Sequence, residues 1–172
     1  MFLNHIKKFW VKKTLNKKLQ VAMPFVVPSS AKTIGLIVDG IHFLKAKVLI
    51  KELIAGGFIA DNIVTIKLTT EKNNQNNDGF LNLEYNQLQW DGAFKNPASL
   101  AFLSKNYDVL ISYYDTEDPI LMQLTYQAQA CLKIGFASVD LRLNQFSIQT
   151  VLANYDGFVS ELLKILKLLN IK

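Results

Sequence analysis

The sequence predicts an α/β protein: a three-layer, Rossmann-like domain with a mostly parallel five-stranded sheet, helices on both faces, and a basic helix ahead of it. Three observations predict it. Residues 107–136 read as strand, acidic turn, helix and strand, a single βαβ unit. Residues 33–68 repeat that pattern around Asp39-Gly40 and Gly56-Gly57. The strand cores Leu36-Ile37-Val38 and Val109-Leu110-Ile111 are continuous apolar runs rather than alternating ones. Strands buried on both faces of a parallel sheet read this way, and strands alternating with helical segments build such a sheet.

Residues 1–20 carry helical periodicity on two stripes. Phe2, Leu3, Ile6, Phe9 and Trp10 form one; Val11, Leu15 and Leu19 continue on a rotated one, with lysine pairs filling the gaps. That composition fits a helix lying in a membrane interface. It equally fits a helix docking its apolar side on its own domain or a partner, lysine stems covering the apolar surface. Nucleic acid is a third fit, through the lysine charge. Residues 21–31, with Pro24, Pro28 and a serine pair, read as a linker, and residues 32–172 as the single domain.

Within that domain, residues 33–39 are a strand and residues 42–55 a helix, with Leu44, Val48, Leu49 and Leu53 inward and Gly56-Gly57 as its C-cap. A second strand follows at 62–68, then a polar, Asn-rich surface loop at 72–78. Residues 80–90 supply a third, less regular strand ended by Asp91-Gly92, and 97–104 a short helix. In the central unit Asp118 stands as N-cap and Pro119 at the first helical position. Ile120, Leu121, Leu124, Ala128 and Cys131 recur as one apolar stripe. Residues 132–136 resume as a strand, 146–150 suit a short edge strand, and 157–169 form a closing helix with Phe158, Leu162, Ile165, Leu166 and Leu169 on one face. Right-handed crossovers and the order 3-2-1-4-5 set the strands ending at Asp39 and Ser112 side by side. Their C-terminal ends then flank the topological switch point, where ligands of such folds bind.

A chain of 172 residues, half of them hydrophobic, suits one domain with a sizeable core. Its net charge of +5 hides an asymmetry: seven lysines and no acid precede Asp39, while the remaining 12 basic and 14 acidic residues leave −2. The average charge is therefore no argument for nucleic acid. The single cysteine, Cys131, reads as core, and with only His5 and His42 no zinc spacing exists. A reducing cytoplasm is expected, with peripheral association at a membrane as an option. Lysine pairs interrupt any secretory apolar segment, and no run approaches the ~18 residues of a membrane span. The expected partner of the N-terminal helix is a protein or an anionic membrane surface.

Common catalytic signatures are missing: no Gly-x-Gly-x-x-Gly, Gly-x-Ser-x-Gly, His-Glu-x-x-His or Cys-x-x-Cys occurs. Gly35 and Gly40 are spaced like a phosphate loop, but Ile41-His42 stands where Lys-Ser/Thr belongs. The candidate catalytic residues at the switch point are Asp39, His42 and Asp115. Asp39, Asp115 and Asp118 are the candidate metal ligands, since clustered carboxylates suit Mg²⁺ or Mn²⁺. Plainer roles compete at each position: Asp118 as a cap, Glu117 as complement to the helix dipole, Asp39-Gly40 as a turn, His42 as a first-turn residue. Tyr113 and Tyr114 are expected to cover the sheet edge, and Arg142, the only arginine, can grip a phosphate or carboxylate bidentately.

Three resemblances follow from these residues. Asp108 to Phe136, with the helix after Tyr155-Asp156-Gly157, resembles the N-terminal domain of heptosyltransferase-type glycosyltransferases. Those enzymes bind nucleotide-sugar mainly through a second half, so this resemblance implies a half without catalysis. Val38-Asp39-Gly40, Ile111-Ser112 leading to Asp115 and Asp118, and Lys133-Ile134-Gly135 resemble PIN-like (NYN-type) ribonucleases, implying that these acids hold a metal. The whole chain resembles a small uncharacterised family of Rossmann-like proteins, which implies a fold and no activity. The leading functional reading is a non-catalytic binding or adaptor module with a basic docking helix. The alternative is a divalent-metal-dependent phosphodiesterase or ribonuclease, the one case in which nucleic acid is the partner.

Overall fold

Two continuous apolar strands make the centre of the sheet: β1 (Ile34–Val38), buried throughout, and β4 (Asn106–Tyr113), buried from Val109 onward. They pair in parallel, Ile34 opposite Val109 and Val38 opposite Tyr113. The computed structural model describes residues 2–20, 26–70 and 79–171, with side chains from residue 6 onward. Residues 21–25 of the expected 21–31 linker and the whole Asn-rich loop at 72–78 lie outside the described residues, as do the side chains of Phe2 and Leu3.

From β1 the chain passes through α2 (Ala46–Ala55) to β2 (Ile63–Leu68), then to the short β3 (Leu81–Leu83). After α3 (Pro97–Leu103) it crosses back to β4 beside β1, then runs through α4 (Pro119–Gln127) to β5 (Gln129–Phe136). A sixth strand, β6 (Phe146–Ile148), pairs in parallel with β5. The order is β3-β2-β1-β4-β5-β6, every pair parallel. The sheet thus has six strands where five were expected. The sixth is the short edge strand that 146–150 suit, and its pairing with β5 sets it in the sheet.

Because the chain winds one way to β2 and the other way to β5, right-handed crossovers send its helices to opposite faces. On one face α2 packs against α5 (Tyr155–Leu168); on the other α3 meets α4. The N-terminal helix α1 (Phe2–Lys18) packs against α4, burying Val11, Leu15 and, just past its end, Leu19 at 1%, 1% and 4% exposure. Among the described residues no helix is long and apolar enough to cross a membrane.

Local chemistry explains where boundaries moved. α2 begins at Ala46, not at 42, and Leu44 is 87% exposed rather than inward. Asp39 is the cause: its carboxylate captures the N–H groups of Ile41 and His42, and its carbonyl that of Phe43. That competing turn holds residues 40–45 out of the helix and sends Phe43 inward instead. α4 stops at Gln127 because Ala128 is extended and β5 starts at Gln129. Cys131 therefore lies in a strand, half-buried, and not on the helical stripe. Tyr113 and Tyr114 do not cover an edge. They lie at the end of the central strand, 0% and 1% exposed.

Candidate functional site

At the C-terminal end of β1 the chain has to leave the sheet within van der Waals reach of β2. Gly40 permits this: a Cβ there would run into the Lys67 side chain and lie 2.5 Å from the Leu68 carbonyl oxygen. Asp39, just before it, is 1% exposed, and its N–H donates to the Tyr113 carbonyl at 3.2 Å. Its Oδ1 accepts from the N–H of Ile41 (3.0 Å) and of His42 (3.1 Å). Its Oδ2 accepts from His42 Nδ1 at 2.7 Å. The burial of the carboxylate is thus compensated by three donors, the condition under which a polar group can stay inside.

His42 is the exposed half of this pair, its side chain 61% exposed against 2% for Asp39. With Nδ1 held by Asp39, Nε2 is the nitrogen that can meet a ligand. The hydrogen bond to Asp39, then that carboxylate's charge, raise the imidazole above its ordinary value; Asp115 and Asp118 add to the rise. A buried acid orienting an exposed imidazole is an arrangement suited to moving a proton or receiving an anion.

The imidazole borders a cleft of about 530 Å³ at the switch point between β1 and β4. Phe43, Leu44, Val151 and Leu152 supply apolar surface; His42, Lys45 and Asp115 supply charge. The far wall is fixed from both sides. Leu152 N–H donates to Asp115 Oδ2 at 3.1 Å, and the Leu152 carbonyl accepts from the Tyr113 hydroxyl at 2.7 Å. Ser138 Oγ donates to the Asp115 carbonyl at 2.7 Å. Tyr113 itself is gripped by Phe43, Phe136 and Phe158, with ring centroids 4.7, 5.1 and 5.0 Å away. Burial pushes its phenol strongly up, so it stays a neutral donor.

Asp118 acts on His42 only through its charge, because its oxygens have other partners. Its Oδ1 caps α4, accepting from Ile120 N–H at 2.9 Å. Its Oδ2 accepts from the Tyr85 hydroxyl at 2.8 Å and Lys8 Nζ at 3.2 Å. Lys8 also lies over the Tyr85 ring, 3.7 Å from its centroid. One turn along α1, Lys12 reaches Glu117 at 2.6 Å. Arg142 grips its own neighbour Asp140 through Nε (2.9 Å) and Nη2 (2.5 Å), and donates to Asn16 of α1 at 3.2 Å. The structure therefore brings His42 and Asp115 to one cleft, with Asp39 buried behind His42, and engages Asp118 with Tyr85 and α1. Among the described residues no group of three or more His, Cys, Asp or Glu is placed to hold a metal ion.

Sequence reasoning gave Tyr113 an edge-covering role in place of its hold on Leu152, and missed Leu152 and Lys133. Lys133 is 4% exposed in the middle of β5, and burial lowers its ammonium to about 8. Its Nζ donates to the carbonyls of Thr125 (2.6 Å) and Tyr126 (3.3 Å), orphan acceptors in the last turn of α4. A lysine interrupting an apolar strand was the signal available.

Fold and site define the class: a doubly wound, Rossmann-like α/β module with a preformed cleft at its switch point. The chain belongs to a family of unknown function, DUF6913, whose model matches residues 7–169. That match begins inside α1, so the helix falls within the same family unit as the sheet. No curated protein and no solved structure matches the chain.

Proposed function

We propose that this protein is a ligand-binding module whose switch-point cleft takes a small organic molecule with an apolar body and an acidic group. The single observation that carries the reading is the Asp39–His42 pair at 2.7 Å on the rim of a largely apolar cleft. His42, held toward its charged form, and Lys45 supply the cations; Phe43, Leu44, Val151 and Leu152 take the apolar body. A cleft of this size falls in the range of small-molecule sites, ~300–1,000 Å³. The test is thermal melting against a panel of aryl and alkyl carboxylates and phosphates. A hit shifts the midpoint, and the shift is lost in His42→Ala and Lys45→Ala but kept in Lys12→Ala. A complete panel without a shift, or a shift indifferent to both substitutions, contradicts the reading.

The same pair supports a second reading, general acid–base catalysis with His42 Nε2 exchanging the proton and Asp39 orienting the ring. Turnover of a carboxylate or phosphate ester that vanishes in His42→Ala and follows imidazole ionisation would establish it. A metal-dependent phosphodiesterase built on Asp39, Asp115 and Asp118 requires Asp118 to leave Lys8 and Tyr85. A melting shift with Mn²⁺ that disappears in Asp39→Asn would favour that alternative over the cleft.

A further inference from the structure

Two apolar stripes are written along α1, and the fold uses one. Val11 and Leu15, with Leu19 just beyond, face the domain, and the lysines beside them are neutralised there, Lys8 by Asp118 and Lys12 by Glu117. The other stripe has no such role: Phe9 is 65% exposed and Trp10 52%. Lys13 and Lys17 are exposed on this same side, at the three- and four-residue spacings that put side chains on one helical face. Lys13 Nζ lies 5.4 Å from the Trp10 ring centroid. A shallow groove of about 830 Å³ runs beside them, lined by Phe9, Lys13 and Lys17 among others.

We infer that this outward face of α1 is a docking surface for an anionic lipid membrane. Charge complementarity selects the occupant. The two cations nearest the acidic turn are paired off, and no acidic residue occurs before Asp39, so the outward lysines have no acid neighbour on their own helix. Amphipathic Trp and Phe settle at the headgroup boundary, while lysine stems reach past them to lipid phosphates. Nucleic acid is the weaker occupant, since the lone arginine is already committed to Asp140. This inference is independent of the switch-point cleft.

The test uses the full chain carrying Trp90→Phe, so that Trp10 is the one tryptophan reporting. Co-sedimentation is measured with phosphatidylcholine vesicles, alone or with about one-third phosphatidylserine, near physiological salt where the Debye length is ~8 Å. The expected result is binding to the mixed vesicles about tenfold or more above the zwitterionic ones, with a blue shift of Trp10 emission. Phe9→Ser/Trp10→Ser and, separately, Lys13→Glu/Lys17→Glu then lose sedimentation with their melting temperatures unchanged, because neither pair belongs to the core. Absence of binding to the mixed vesicles overturns the inference. So does binding that survives both double substitutions, or affinity confined to a single-stranded RNA probe.

Discussion

Asp39 and Asp118 sit at the same end of the same sheet, each just past a central strand, yet they end in opposite situations. Asp39 is buried beneath an exposed imidazole that borders an open cleft. Asp118 has one oxygen in a helix cap and the other closed over by Tyr85 and Lys8. The difference comes from α1, which covers the acidic turn and leaves the β1 exit open. Carboxylates at a switch point are thus not one site by default; what packs over each decides its chemistry.

The largest effect should come from uncovering the closed side. Leu15→Ala removes a side chain 1% exposed between α1 and the domain, and truncations of this kind cost about 2–5 kcal/mol. Urea unfolding measures the loss, while the His42 titration should not move. An unchanged midpoint would show that α1 is not part of the folded body.

Next, Asp118→Ala removes the α4 cap, a change of about 1 kcal/mol in typical helices and up to 2. Asp118→Ser keeps the cap and should recover most of it, leaving only the smaller loss of Lys8 and Tyr85. If Ser behaves as Ala, the ionic and phenolic contacts outweigh the cap.

On the open side the expected effect depends on pH. The imidazole is raised in the fold, so its stabilisation is fully present below the unfolded value near 6.5 and is lost as pH rises through the higher folded one. Melting of wild type and His42→Ala should therefore differ most in acid and converge in alkali. A constant gap across that range would mean that the ring contributes packing and no charge.

Smallest is Lys12→Ala. Both partners of the Lys12–Glu117 pair are 39% exposed, and exposed pairs contribute about 0.2–1 kcal/mol, screened by salt. A loss well above that would make the pair a structural clamp.

Legibility followed the length scale of the signal. The two βαβ units, the Asp118–Pro119 helix start and the strand neighbours at the switch point were readable, because continuous apolar strand cores and a cap-proline pair act locally. Competition between local signals was not. Residues 42–45 were expected to open the helix, yet Asp39 captures the amides of Ile41 and His42, and Leu44 faces solvent as a result. Contacts across long sequence separations were also hidden: nothing near Tyr113 announces that its hydroxyl holds Leu152, 39 residues away. The two stripes of α1 were visible as a pattern, but only packing against α4 shows which one the domain uses.

Proton NMR titration of His42, wild type beside Asp39→Asn, tests most directly whether Asp39 sets the charge of an imidazole open to the cleft. In the wild type His42 should titrate above 6.5, and in Asp39→Asn it should fall back toward that value. A wild-type His42 at or below 6.5, or one that Asp39→Asn leaves in place, would contradict the assignment of the open edge as the site.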